Sequence, residues 1–150
     1  MEVTHFEIVR YTDQYRNQLL EVWEKSVLAT HSFLKPDDFD AIKKLVGTID
    51  FNAFEVYCLM QADAMAGFLG VADQKLEMLF LSPRYIGKKM GKKLIECAMN
   101  ELQIDKVDVN EQNKKAVEFY QKFGFTVYER TDKDDQGKNY PLLRMRLENR

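Results

Sequence analysis

The chain is short of the residues on which special architectures depend. Its 150 residues include two cysteines, two histidines and three prolines. Cys58 and Cys97 each sit in an apolar stretch, which reads as a pair of reduced core thiols and leaves no disulfide scaffold. No Cys-x-x-Cys pair exists, and His5 and His31 are the only histidines, so material for a zinc site is scarce and no metal is expected. An excess of one charge is also missing. Twenty-four acidic residues face 22 basic ones for a net charge of −2, unlike the basic domains that bind nucleic acid. No apolar run approaches the roughly 18 residues of a membrane helix. Met1-Glu2-Val3-Thr4-His5 lacks the basic and apolar blocks of a secretory leader. These absences predict a cytoplasmic protein with neither a membrane nor a nucleic-acid partner.

What is present fits an ordinary globular chain, read as one domain over 1–150. A chain of this length buries roughly 70% of its unfolded surface without staples. With 45% hydrophobic and 31% charged residues, it is not collagen-like, disordered or disulfide-dependent.

Periodicity divides the chain into elements. Residues 5–11 alternate polar and apolar as a first strand, Phe6, Ile8 and Tyr11 with Glu7 and Arg10 between. From Asp13, the residues Tyr15, Leu19, Val22, Trp23 and Ser26 recur at helical spacing, with Thr12 or Asp13 as N-cap. A loop over 29–36 leads to a second helix with Phe39, Ile42, Leu45 and Val46 inside, stopped by Gly47. Strands over 54–60, 65–71 and 75–81, separated by turns at Ala62-Asp63 and Asp73-Gln74, predict an antiparallel meander that Pro83 ends. A helix over 87–102 and a strand over 106–110 predict a crossover to a parallel neighbour. Asn113 opens another helix, with Ala116, Val117, Phe119, Tyr120 and Phe123 inside and Gly124 at its end. Strands over 125–130 and 142–147 close the chain. The predicted order is β-α-α-β-β-β-α-β-α-β-β, an α/β (α+β) mixed sheet with helices on its faces.

The segment after Pro83 carries the chemistry. A strand, a proline, Gly87, Gly91 and a helix form the layout of an anion cradle, in which free N–H groups point outward from a helix N-terminus. Lys88, Lys89, Lys92 and Lys93 crowd that end. The helix macrodipole disfavours cations there unless an anion joins them. Their number suits a ligand with several phosphates; a solvated lysine face is the other reading. The segment is neither a Walker A loop nor a dinucleotide fingerprint.

At this point the sequence resembles a known family. Residues 76–94, LEMLFLSPRYIGKKMGKKL, look like the acetyl-CoA motif of the GNAT (GCN5-related) N-acetyltransferases. Residues 109–125, VNEQNKKAVEFYQKFGF, look like the motif that follows it, and the element order matches throughout, as in a small bacterial-type single-domain member. The family's phosphate loop reads Gln/Arg-x-x-Gly-x-Gly/Ala. Its fixed positions fall here on Ile86, Lys89 and Gly91, and only Gly91 matches. Lys89 either adds a phosphate contact or crowds the diphosphate with its stem.

The resemblance implies roles. The fourth strand would bulge and splay from the fifth, so that pantetheine pairs with Leu79, Phe80 and Leu81. Ile86, Gly87, Lys88, Lys89, Met90, Gly91 and Lys92 would hold the phosphates. Asn113 would contact CoA, cap its helix, or both. Tyr120, a phenol with an ordinary pKa of about 10, would protonate the leaving thiolate or simply belong to the aromatic stripe. Glu77 is the candidate general base; period-two geometry puts it on one face with Leu79 and Leu81 unless a bulge intervenes. Thr30, His31 and Phe33 fall in the loop that would bind the acceptor, and Asp132, Asp134 and Asp135 in a loop that would attract a cationic amine.

The expected activity is transfer of the acetyl group from acetyl-CoA to a primary amine of a small molecule or peptide, by direct attack in a ternary complex. A non-catalytic CoA- or acyl-CoA-binding module of the same fold is the alternative, and a phosphate or nucleic-acid binder a third reading. The expected partners are acetyl-CoA and an amine acceptor. The chain would act as a monomer, or as a homodimer paired through an exposed last strand.

Overall fold

In the computed structural model, which describes residues 5–148, the first elements follow from apolar spacing. Met1–Thr4, part of the segment read as lacking a secretory leader, lie outside the described residues. Strand β1 covers Glu7–Arg10. A 3-10 turn over Asp13–Tyr15 then leads into α1, Arg16–Thr30. Leu19, Val22, Trp23, Ser26 and Val27 repeat at three- and four-residue intervals and form the buried face of α1. The expected caps do not form. Thr12 makes no side-chain cap, and the Asp13 carboxylate accepts from the Tyr11 hydroxyl and from Asn52 Nδ2 at 2.9 Å instead. Helix α2, Pro36–Val46, has proline in its first turn, Asp37 and Asp38 at its positive end and Lys43 and Lys44 at its negative end. Gly47 ends it with a right-handed φ of −63° rather than a left-handed turn. Leu45, expected inside, is 48% exposed.

Strands β2 (Glu55–Gln61), β3 (Ala64–Ala72) and β4 (Lys75–Leu81) form the expected antiparallel meander. Asp73 and Gln74 both take positive φ, 51° and 63°, as a two-residue hairpin turn of primed type requires. Helix α3 runs from Met90 to Asn100, three residues later at its start than its sequence predicts. Gly87 and Lys89, with φ of 83° and 64°, take left-handed backbone that a helix cannot contain. Strand β5 (Lys106–Asn110), α4 (Lys114–Lys122), β6 (Phe125–Thr131) and β7 (Leu142–Leu147) complete the chain. Gly124, with φ of 96°, turns the chain out of α4.

The seven strands form one sheet in the order β1-β2-β3-β4-β5-β7-β6. The β4–β5 pair is parallel, as the strand–helix–strand order predicts. The last strand is not an edge. Strand β7 pairs with β5 on one side and β6 on the other, so it cannot add a partner, and β1 and β6 are the edges instead.

Apolar residues cover both faces of the central strands. Leu59, Leu69 and Leu76 pack with Leu94, Ile95 and Ala98 of α3 and Tyr120 of α4. Cys58, Met60 and Phe68 pack with Leu19, Val22 and Trp23 of α1 and with Val46 of α2. Cys58 is a free, buried thiol and Cys97 a free, half-buried one. A bulge sits in β4. Met78 pairs with Gly70 and Leu76 with Val71, leaving Glu77 as the extra residue. The bulge turns Leu76 to the same core as Leu79 and Leu81.

Candidate active site

Strands β4 and β5 are in register only at Lys75–Lys106 and Leu76–Val107. Beyond that they diverge, and two clefts lie at the opening between them. A cleft of about 220 Å³ enters from one side and is lined by Glu77, Val107, Asp108 and Asn110, among others. A second, of about 210 Å³, enters past Thr30, Leu81, Ile86, Gly91, Lys115 and Phe119. The two share His31, Leu79, Phe80, Asn113, Ala116 and Tyr120.

At Ile86 and Gly91 the second cleft borders the lysine-rich turn that opens α3. Lys88 N–H bonds the Tyr85 carbonyl and Lys93 N–H bonds the Lys89 carbonyl. The N–H groups of Gly87, Lys89, Met90, Gly91 and Lys92 have no backbone acceptor among the described residues. Lys89 holds the left-handed backbone expected of glycine at its position. A Cβ on Gly91 would come within 3.3 Å of the Phe119 ring and 3.5 Å of Leu81 Cδ1. Glycine there lets α3 approach α4 and β4 closely. Lys88, Lys89, Lys92 and Lys93 are exposed and have no carboxylate partner among the described residues. Met90 packs its side chain against the core.

The inner walls carry the titratable groups. Tyr120 is 7% exposed, and burial pushes its phenol well above the ordinary value. Its hydroxyl has no hydrogen-bond partner among the described residues. No side-chain oxygen or nitrogen among them is both sealed and unpartnered, so this hydroxyl opens to the cleft. Asn113 caps α4 through a 3.3 Å bond from Ala116 N–H and also lines both clefts. Asp108 is neutralised by Lys75 at 2.6 Å and Arg144 at 2.7 Å. Glu77 has only Lys75 at 4.0 Å, and burial raises its pKa against the pull of that lysine. His31 is held neutral by burial, its pKa lowered to about 4.

Not every residue expected at the site reaches it. Phe33 lines neither cleft; it lies between the rings of His31, at 5.2 Å, and Tyr140, at 6.0 Å. The three aspartates of the β6–β7 loop are committed within the protein. Asp132 pairs with Arg130 and Asp135 with Arg144, while Asp134 accepts the Gln136 and Lys138 N–H groups. Sequence reasoning missed Tyr140. Its hydroxyl donates to Asp38 at 2.5 Å and accepts from Lys35 N–H at 3.0 Å, tying the start of α2 to the β6–β7 loop beside a wide third cleft. An aromatic before Pro141, after a polar loop, was the only available signal.

A family model described as an acetyltransferase (GNAT) domain matches residues 11–149. The chain belongs to the GNAT acetyltransferase family. It is 36% identical over 128 residues to the protein named peptidyl-lysine N-acetyltransferase YjaB of Escherichia coli strain K12, covering 85% of this chain and 87% of that one. The solution structure of apo YjaB from Escherichia coli superposes on this GNAT domain with a TM-score of 0.88 at 32% identity, covering 98% and 100% of the two chains. A Thermoplasma acidophilum PaiA N-acetyltransferase, solved in complex with coenzyme A, shares the fold at a TM-score of 0.68 and 22% identity, covering 95% and 99%. The GNAT fold, the mixed sheet and the acetyltransferase activity expected from the sequence stand. Among the described residues, no helix is long and apolar enough to cross a membrane, and no group of three or more His, Cys, Asp or Glu side chains is placed to hold a metal ion.

Proposed function

We propose that this GNAT domain takes its acetyl group from acetyl-CoA and delivers it to the primary amine of a small molecule or peptide, within a ternary complex. A lysine side chain on a peptide is the first acceptor to test, because the Escherichia coli relative is named for that substrate. The observation that carries the reading is the meeting of two clefts at Tyr120, Asn113 and the β4 backbone. One of them ends in free backbone donors and unpaired lysines. The phosphates of CoA fit that end, and the apolar wall of Leu79, Leu81, Ile86 and Phe119 fits pantetheine.

The acceptor enters on the Glu77 side. An alkyl ammonium is not a nucleophile, and Glu77, whose nearest cation is Lys75 at 4.0 Å, draws it in and takes its first proton, directly or through water. The neutral amine then attacks the thioester carbon. The β4 backbone beside Leu79 and Leu81 offers donors to the oxyanion. Tyr120, kept protonated by burial, gives its hydrogen to the departing sulfur.

Thermal unfolding with acetyl-CoA, CoA, ATP and NAD side by side tests the donor. Ligand at 100 times its dissociation constant adds about 2.7 kcal/mol, a rise of roughly 5–10 °C at this size. A rise with acetyl-CoA and CoA alone, followed by thiol release with lysine peptides, is the expected result. No rise at millimolar acetyl-CoA would refute the donor.

A further inference from the structure

His31 stands at the C-terminal end of α1, and its neighbours determine which of its nitrogens carries hydrogen. The Thr30 hydroxyl donates to the Ser26 carbonyl at 2.8 Å. The same oxygen lies 2.8 Å from His31 Nδ1. A hydroxyl has a single proton to give, so Thr30 Oγ1 accepts from His31, and the ring hydrogen sits on Nδ1. Nε2 is left with a free lone pair and has no bonded partner among the described residues. Burial keeps the ring neutral, with its pKa lowered to about 4.

The reaction releases two protons from nitrogen. The first leaves the ammonium before attack. The second leaves only after the bond to the acetyl carbon has formed, when the nitrogen is positively charged and far more acidic than a free ammonium. That release happens where the two clefts meet. Of the residues lining both, only His31 and Tyr120 exchange protons, and Tyr120 is already protonated. Glu77 and Asp108 line the acceptor cleft alone, and Lys115 lines the cofactor cleft alone. The Phe33 ring packs against the imidazole. Asp108 is bound by Lys75 and Arg144, and burial alone accounts for the lowered pKa of His31.

We propose that His31, through Nε2, accepts the proton shed by the acceptor nitrogen once its bond to the acetyl carbon has formed, with Thr30 as the positioning residue that keeps Nε2 free. The inference rests on the acetyltransferase reading above. The nitrogen–carbon bond forms and the carbon–sulfur bond breaks. One proton passes from nitrogen to Nε2, and the Tyr120 hydrogen passes to sulfur. The imidazolium then reprotonates the Tyr120 phenolate. Ammonium and thioester become amide and thiol, and the proton first taken by Glu77 goes to water.

The test compares the wild type with His31→Gln, Thr30→Val and Thr30→Ser. Each is assayed for thiol release from acetyl-CoA with Nα-acetyl-lysine amide, and for the thermal shift with CoA. Glutamine keeps an acceptor near the Nε2 position but takes up no proton. His31→Gln should lower kcat about 10²–10³-fold, with the CoA shift and the KM for acetyl-CoA unchanged. Thr30→Val should lower kcat about tenfold by freeing the tautomer, and Thr30→Ser should restore it. Nitrogen-15 spectra of the ring at pH 7 should show a neutral imidazole with hydrogen on Nδ1. Hydrogen on Nε2, or a His31→Gln kcat within twofold of an active wild type, overturns this role alone. A wild type that neither shifts with CoA nor releases thiol overturns the acetyltransferase reading, and this role with it.

Discussion

Lys89 carries two opposing effects, and replacing it separates them. Its backbone sits at φ 64°, the left-handed region, at the N-terminal boundary of α3. For a residue with a Cβ that conformation costs roughly 1–2 kcal/mol. Glycine relieves the cost but gives back about 0.5–1 kcal/mol through the greater freedom of its unfolded chain. Lys89→Gly should therefore raise stability by about 0.5–1 kcal/mol. At this chain length the melting temperature would rise by about 1–4 °C. The same change removes an exposed cation beside the free N–H groups. An exposed charge pair is worth about 0.2–1 kcal/mol, so acetyl-CoA affinity should fall about 1.5- to 5-fold. Lys89→Ala is the control, because alanine keeps the left-handed strain and loses the charge. It should bind as weakly as Lys89→Gly and melt close to the wild type. Differential scanning calorimetry and titration calorimetry read the two effects apart. Equal melting temperatures for the glycine and alanine variants would refute the strain argument. Wild-type affinity in the alanine variant would refute the phosphate contact, and tighter binding in both would mean that the stem crowds the diphosphate.

Tyr120→Phe should lower kcat about 10²-fold, with acetyl-CoA binding and melting temperature nearly kept, because the hydroxyl it loses has no partner among the described residues; steady-state kinetics and a melting curve check both. The pH dependence of stability follows from His31, whose folded pKa of about 4 lies below its ordinary 6.5. The unfolded chain takes up that proton first as pH falls, so the contribution is full above pH 6.5 and lost on the way to pH 4. It amounts to about 1–2 kcal/mol after allowance for the partial solvent contact of the ring, and denaturation of His31→Gln across that window should show a flatter fall. Tyr140→Phe removes one bond to Asp38 and one from Lys35 N–H. It should cost about 1–2 kcal/mol, read as a melting point lower by roughly 3–6 °C, and raise KM for the amine more than KM for acetyl-CoA.

Local chemistry was legible in the sequence wherever one segment decides it. The meander was written in three apolar runs with short turns, the parallel crossover in the strand–helix–strand order, and the Asn113 cap in a single side chain. Events that need two distant segments were hidden. Insertion of β7 between β5 and β6 depends on ladders on both its edges, and no period in residues 142–147 reports that. The start of α3 at Met90 depends on left-handed backbone at Lys89, which lysine does not advertise. Residues 75–81 were readable as a strand. Its bulge was implied by the family resemblance alone, and its place at Glu77 appears only in the register against Val71 and Gly70. Tyr140 and Asp38 meet across 102 residues, so nothing local to either announces the tie. The Thr30–His31 pair was visible as a dipeptide, but its tautomer became readable only once α1 brought the Ser26 carbonyl under the hydroxyl.

The short pairing of β4 with β5, two registered residues long, has a mechanical consequence. The sheet is a continuous ladder from β1 to β4 and again from β5 through β7 to β6, with a nearly unlaced seam between. Opening along such a seam breaks few backbone bonds, so the two halves should fluctuate as separate cooperative units. A molecule that occupies the seam and bonds to both walls would act as a rivet. Amide exchange in β4 and β5, far more than in β2 or β3, should then slow when acetyl-CoA is bound, reporting a cosubstrate that finishes the sheet on which it reacts.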